Sequence, residues 1–154
     1  AESEWAAGIV AWTQENSDYT SVKLDVDNCY NEGDIVALNS VGGIVGYGSN
    51  TNCHVYNSVN KGNVSSTGTG GHIGGIVGVV SGSDNAMTIS NCTNNAVIST
   101  TATNGGEHRM SGIVGYAYGG TILVSKCTNN AEIKATGEAK NPRPAGIASV
   151  IDGT

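Results

Sequence analysis

Hydrophobic residues along this chain come in short clusters that are separated by glycine, asparagine and other polar residues. The clusters are rich in Val and Ile, contain no Pro and are bounded by Gly, Asn or Asp. They include GIVGY, KLDVD, HVYN, MTIS, ILVS and NVSS. Clusters of this composition are typical of short β-strands. No segment carries a helical apolar stripe over the length that a helix requires, so the pattern predicts an all-β protein.

The clusters return at a nearly fixed spacing. Gly–Ile pairs begin at Gly8, Gly43, Gly75, Gly112 and Gly146, with separations of 35, 32, 37 and 34 residues. A second anchor follows each of the first four pairs, as VDNCYNEGDI (26–35), VYNSVNKGNV (55–64), ISNCTNNAVI (89–98) and VSKCTNNAEI (124–133). A period between 20 and 50 residues is typical of solenoids and other arrays. Lengths vary only outside the anchors, as expected when stacked coils are joined by surface loops.

Each predicted strand is too short to be stable alone, and stacking equivalent strands lets every backbone N–H and C=O find a partner. The sequence therefore predicts a parallel β-solenoid, or β-helix, with about three short strands per coil and four to five coils. Right-handed winding is expected because parallel crossover connections nearly always have that hand. Residues 1–154 are expected to form one module, with units that begin near 8, 43, 75, 112 and 146.

The two ends fall inside a repeat, since the chain starts with EWAAGIV after three residues and stops after AGIASVIDG. Solenoids need terminal caps to cover their end coils, and no capping segment is evident. We therefore expect the chain to be part of a longer protein, or its ends to be completed by sequential copies.

Aligning the anchors predicts which side chains stack from coil to coil. Asn side chains in register can form hydrogen-bonded ladders, and Asn or Gly at a corner supplies a positive φ at little cost. A ladder or a row of turn residues is expected at Asn31, Asn60, Asn94 and Asn129. Three columns are expected to point inward: Val26, Val55, Ile89 and Val124; Ile35, Val64, Ile98 and Ile133; Leu24, Cys53, Met87 and Ile122.

The motif formed by GGIVG, a variable link and an Asn-Cys anchor resembles the GLUG-type repeat, a glycine-rich unit of exported bacterial proteins. The resemblance extends from about residue 6 to residue 149. It implies a β-solenoid on the cell surface with a role in adhesion, spacing or display, and it carries over no catalytic residues. The chain departs from the pattern with Ile-Val after the Gly, with Ser58 in place of the anchor Cys and with Lys126 in place of the anchor Asn.

Two columns are candidates for contact with a partner. Along the first strand of each unit, alternation is expected to turn either the Ile of the Gly–Ile pair or the Val after it outward. Three residues after that Ile lies a further column, which contains Trp12, Tyr47, Val79, Tyr116 and Val150. An exposed apolar stripe marks an interface, with a flanking segment, a neighbouring protomer or a further domain as the favoured partner. Stacked aromatic rings are also a platform for a glycan.

The second column is basic and contains His72, Arg109 and Arg143, each three positions before the Gly of its unit. These residues are expected to stack on a corner, where they either bind an acidic sugar or carboxylate or serve solubility.

Charge and composition exclude some partners. Binding to nucleic acid or to an anionic membrane depends on a basic field. The net charge of -6 and the pI of about 4.8 therefore argue against both as main partners. No apolar run approaches the roughly 18 residues of a membrane span, so no membrane insertion is expected. Only 13% of the residues are charged, and a surface rich in Asn, Ser, Thr and Gly favours an exported bacterial protein.

Candidate chemistry is sparse. Cys29, Cys92 and Cys127 share one column with Ser58, which favours free thiols in packing positions, although a disulfide between Cys92 and Cys127 is conceivable. The acidic residues near 25–34, with Asp18 nearby, are expected to form a solvated face instead of a calcium site. No cofactor, zinc motif or hydrolase motif is present, so no enzyme is expected. A row of Thr67, Thr101 and Thr136 leaves ice binding as a minor alternative.

The sequence thus predicts a noncatalytic extracellular or cell-surface module that serves as a spacer or adhesive element. Its expected partners are a protein or glycan on a cell surface, or copies of itself stacked end to end or side by side. The alternative is a β-helix that binds or acts on glycans through the aromatic column and the basic column.

Overall fold

The computed structural model describes residues 3–14, 23–49, 52–82, 86–101, 106–136 and 142–152. Within these residues all regular elements are β-strands. The first coil contains β1 (Trp5–Ala7), β2 (Val10–Gln14), β3 (Lys23–Asp27), β4 (Tyr30–Asn31) and β5 (Ile35–Ala37). The second contains β6 (Ser40–Gly42), β7 (Val45–Ser49), β8 (Asn52–Tyr56), β9 (Val59–Asn60) and β10 (Val64–Ser66).

The third coil contains β11 (Gly71–Gly74), β12 (Val77–Ser81), β13 (Ala86–Ser90), β14 (Thr93–Asn94) and β15 (Ile98–Thr100). The fourth contains β16 (His108–Ser111), β17 (Val114–Tyr118), β18 (Thr121–Ser125), β19 (Thr128–Asn129) and β20 (Ile133–Ala135). The strands β21 (Pro142–Ala145) and β22 (Ala148–Asp152) follow them. These elements confirm the predicted all-β class.

Equivalent strands of successive coils pair in parallel and form five sheets that run along the solenoid axis. One sheet has the order β1-β6-β11-β16-β21 and the next the order β2-β7-β12-β17-β22, while the other three contain four strands each. The predicted parallel β-solenoid is confirmed, with about four turns. In the described residues, the first four coils have five strands each instead of about three. The additional strands, such as Ser40–Gly42 (SVG) and Thr93–Asn94 (TN), are very short and contain at most one Val or Ile each, which is too few for a strand to be recognised in a sequence.

The register agrees with the alignment of the Gly–Ile pairs. Val45 pairs with Val10 on one side and with Val77 on the other, and Val114 pairs with Val77 and Ala148. Backbone hydrogen bonds also continue through the bend that precedes these strands, for example from the Ile44 N–H to the Ile76 carbonyl at 2.9 Å. The repeat unit of the sequence is therefore one coil of the solenoid.

The interior holds two apolar clusters. The larger contains the predicted inward residues Val26, Val55 and Ile89 together with Cys53 and Met87. The smaller contains Ile35, Val64 and Ile98, with Val41, Ile73 and Met110 from the sheet that precedes the Gly–Ile bend. The inward columns are thus confirmed, and their members in the fourth coil, Val124 and Ile133, are partly buried against the clusters.

The expected alternation at the Gly–Ile pair is wrong. Ile44, Ile76 and Ile113 are fully buried, and so are the residues that follow them, Val45, Val77 and Val114. The chain bends at the Gly and Ile, as at Gly75 and Ile76, before β12 begins. A bend interrupts the two-residue period of a strand, so two consecutive side chains turn inward.

The ladder expected from the first Asn column is present. The side-chain amide of Asn31 donates to Oδ1 of Asn60 at 2.7 Å, that of Asn60 to Asn94 at 2.9 Å, and that of Asn94 to Asn129 at 2.8 Å. Each amide also donates to the backbone carbonyl two residues ahead, as Asn60 does to Gly62 at 3.0 Å. Because Asn60 and Asn94 are fully buried, these bonds satisfy polar groups inside the solenoid.

A second column takes the positive-φ role. It lies three residues before the ladder and contains Asn28, Asn57, Asn91 and Lys126, whose φ angles are 53°, 49°, 55° and 53°. Its exposed side chains also bond between coils, since Asn91 donates to Asn57 at 2.6 Å and Asn57 to Asp27 at 2.7 Å. Of the two alternatives for the first Asn column, the ladder is therefore the one observed, and the turn residues belong to the second column.

Candidate binding surface

The predicted aromatic and basic columns lie on neighbouring sheets. Trp12, Tyr47, Val79, Tyr116 and Val150 occupy equivalent positions of the sheet that contains β2 and β22. His72, Arg109 and Arg143 occupy equivalent positions of the sheet that contains β1 and β21. The basic column was expected on a corner, but its residues lie within the strands β11, β16 and β21.

The two columns contact each other across the Gly–Ile bend. The ring of Trp5 stacks on that of Trp12 with centroids 5.6 Å apart and lies 5.8 Å from that of Tyr47. The imidazole of His72 lies 4.9 Å from the ring of Tyr116, and the guanidinium carbon of Arg109 lies 4.1 Å from the same ring. The second contact is a cation–π interaction. What the sequence presented as two separate columns is one surface, which we call the aromatic corner: Trp5, Trp12, Tyr47, His72, Glu107, Arg109, Tyr116 and Arg143.

The stripe is not continuously exposed. Trp12 is 50% exposed, whereas Val79, between Tyr47 and Tyr116 in the same column, is 1% exposed. Tyr47 and Tyr116 are half-buried. The rings are partly covered by the neighbouring column of this chain, so the uncovered area lies mainly at the Trp12 end of the corner.

Charge in the aromatic corner is organised by Glu107. One carboxylate oxygen lies 3.2 Å from the Arg109 guanidinium and the other lies 2.8 Å from Nε of Arg143. Burial, reinforced by the positive charge of Arg109, lowers the pKa of His72 to about 4, so its imidazole is neutral at pH 7. Two arginines and one glutamate leave the corner with one net positive charge on a chain whose net charge is -6.

Trp5 and Glu107 were missed by the sequence analysis. Trp5 stands three residues before Gly8, the same offset that places His72, Arg109 and Arg143 before their glycines. Applying that count to the first unit would have found it. No equivalent signal exists for Glu107, because its role depends on the distance between two strands of neighbouring coils.

The cysteine column has a hydrogen-bonding role that includes Ser58. The thiols of Cys92 and Cys127 each donate to the carbonyl two residues earlier, at 3.3 and 3.2 Å, and the Ser58 hydroxyl donates to the equivalent carbonyl of Tyr56 at 2.6 Å. All four cysteines are free. Serine replaces cysteine in this column because both provide a small donor to the same carbonyl.

Other candidate chemistry stays dispersed. Asp25 pairs with Lys23 at 2.8 Å and, like Asp27, is exposed, whereas Asp18 lies outside the described residues. Among the described residues, no group of three or more His, Cys, Asp or Glu side chains is arranged to hold a metal ion. The row of Thr67, Thr101 and Thr136 is exposed.

The described part of the chain contains no helix with the length and apolar character that a membrane crossing requires. Comparison with known proteins finds no family model, no curated protein and no solved structure that matches this chain.

Proposed function

We propose that this chain is a noncatalytic repeat module of an exported bacterial surface protein, in which the solenoid is a stiff spacer and the aromatic corner an adhesive surface. One observation carries the proposal. Both tryptophans and both arginines of the chain belong to the aromatic corner. Trp and Arg are the residues most enriched among those that dominate binding energy at interfaces.

The spacer role is supported by the bonding between coils. Five parallel sheets, the buried Asn ladder and the exposed Asn column all run along the solenoid axis. Each coil is therefore fixed to its neighbours at several points around its circumference. A scaffold of this kind holds surface side chains at a constant spacing of about 4.8 Å per coil.

A noncatalytic role is supported by the pairing of the charged groups in the corner. Glu107 is paired with two arginines, so its carboxylate oxygens are already engaged by charged groups of this chain. His72 is packed against Tyr116 and stays neutral at pH 7. General acid–base catalysis needs groups that exchange protons near the working pH.

An array of glycans and extracellular-matrix proteins tests the adhesive role. We expect the chain to bind at least one component, and Trp12→Ala to lose that binding. The control is Tyr30→Ala, because Tyr30 is a similarly exposed aromatic residue that lies on β4 beneath Lys61. Binding that survives Trp12→Ala and is lost with Tyr30→Ala would contradict the proposal.

A glycan-active β-helix is the second candidate, and the Trp5–Trp12 stack favours it because stacked rings suit a sugar substrate. Incubating the chain with each bound glycan and assaying new reducing ends or unsaturated sugars tests this candidate. Cleavage that disappears in Glu107→Gln would replace the noncatalytic proposal with an enzymatic one.

A further inference from the structure

We propose that the aromatic corner binds a linear polysaccharide in which only some of the sugar rings carry a carboxylate, with the polymer lying along the solenoid axis. This inference rests on the proposed function, since it takes the corner as the contact surface. It adds the class of ligand, its charge density and its direction on the protein.

Sugar rings are expected at the end of the corner near the first coil. Trp5 and Trp12 are nearly parallel, with 15° between their ring planes, and Trp12 is 50% exposed. Trp5 covers part of Trp12 and fixes the orientation of its ring, so little side-chain entropy is lost when a ligand stacks on the uncovered part. The apolar face of a pyranose ring fits such a flat aromatic surface.

Carboxylates are expected at the opposite end. Arg109 is mostly covered, with 19% of its side chain exposed, because it pairs with Glu107 and lies over the ring of Tyr116. Arg143 is 57% exposed and pairs with Glu107 through Nε, and its terminal guanidinium nitrogens make no hydrogen bond to the described residues. Those nitrogens match the two oxygens of a carboxylate.

The distance between the two ends requires an extended ligand. Trp12 lies on β2 and Arg143 on β21, which are four coil spacings apart along the axis. At about 4.8 Å per spacing, the corner is roughly 19 Å long. A monosaccharide or disaccharide cannot reach both ends, whereas an oligosaccharide that follows the axis can.

Charge balance selects the density of carboxylates. The corner has one net positive charge, while the whole chain has -6. A nucleic acid strand carries about one charge per 3.4 Å, which is roughly five or six over the length of the corner, and the remaining acidic surface would repel it. A neutral polymer would leave the one net positive charge of the corner without a counter-charge, so a sparsely charged polymer fits best.

Hyaluronan decasaccharide is the probe, because one ring in two carries a carboxylate, and its carboxyl-reduced form is the neutral control of equal length. Calorimetry with the whole chain is expected to show at least tenfold weaker binding of the reduced form and at least tenfold weaker binding of a disaccharide. Arg143→Gln should remove the difference between the charged and reduced decasaccharides. Trp12→Ala should weaken both, and Tyr30→Ala should weaken neither; thermal melts establish that each variant is folded.

Four results would overturn the inference. If the charged and reduced decasaccharides bind equally and Trp12→Ala loses the binding of both, recognition of a carboxylate is rejected. The adhesive proposal then stands. If neither Trp12→Ala nor Arg143→Gln alters hyaluronan binding, the aromatic corner is not the binding surface, and both proposals are rejected. Failure of both decasaccharides to bind rejects the polysaccharide, and so does tighter binding of a ten-nucleotide oligothymidylate. In both cases the array decides separately on adhesion.

Discussion

Gly75 lies directly against the side chain of Asn94, so that a Cβ added to Gly75 would be 2.7 Å from Nδ2 of Asn94 and would also meet the carbonyl oxygen of Gly112. The same contact joins Gly43 to Asn60, one coil away. These glycines and asparagines lie between the two apolar clusters of the interior. The two most regular columns of the sequence therefore meet inside the solenoid and form a polar partition between its two cores.

Gly75→Ala is expected to destabilise the protein by about 3 kcal/mol, because the methyl group cannot be accommodated without moving the ladder or the backbone of the next coil. Chemical denaturation measures the change. Gly146→Ala is the control, since an added Cβ there meets nothing within 4 Å. If the two variants unfold at the same denaturant concentration, the close contact does not constrain this position.

Asn60→Ala is expected to cost about 3 kcal/mol, because it leaves Asn31, Asn94 and the Gly62 carbonyl without their partner in a buried environment. Asn130→Ala removes an exposed Asn–Asn bond of 2.9 Å and should cost less than about 1 kcal/mol. Urea unfolding of both variants provides the comparison. Similar losses would mean that the buried ladder contributes no more than a surface bond.

Lys126→Asn is expected to stabilise the protein by about 1 kcal/mol, which is a rise in Tm of about 2–4 °C for a chain of this size. Lys126 has a φ of 53°, a region in which Asn is more favourable than Lys, and the other three residues of its column are Asn. Lys134→Asn removes the same charge from an extended position on β20 and should not raise Tm. A rise in the control alone would contradict the backbone argument.

Stability is expected to fall as the pH decreases from about 6.5 towards 4. Burial lowers the pKa of both His72 and His108, that of His72 to about 4. The unfolded chain therefore takes up protons near pH 6.5 that the folded chain does not accept, so the stabilisation is complete above that pH and is lost below it. Unfolding free energies measured across this range should show a smaller slope for His72→Gln than for the unmodified chain. Parallel curves would indicate that His72 is protonated equally in both states.

Much of the solenoid could be predicted because its information is local and repeated. Gly43, Gly75 and Gly112 recur at nearly constant spacing with Ile after each, and Asn60 and Asn94 occupy the same position within the second anchor of their units. Stacked coils place equivalent residues in contact, so alignment of the repeats is itself a map of neighbours along the axis. The register and the Asn ladder followed from that alignment.

Contacts between different columns could not be predicted in the same way. Ile76 and Val77 are both buried because the chain bends there. The alternation of hydrophobic and polar residues does not indicate the angle of a bend. Arg109 and Tyr116 belong to different sheets, and their approach to 4.1 Å depends on the angle between those sheets.

The sequence by itself determined that units stack, which residues stack on which, and which columns supply the interior, because period and register are properties of one dimension. Only the tertiary structure decided how the column of Trp12 and Tyr116 is oriented towards that of His72 and Arg109. It also decided that Glu107 pairs with two arginines from neighbouring coils. The physical reason is that the cross-section of a coil is set by bends and by packing across the core, which join residues with no fixed separation in the repeat.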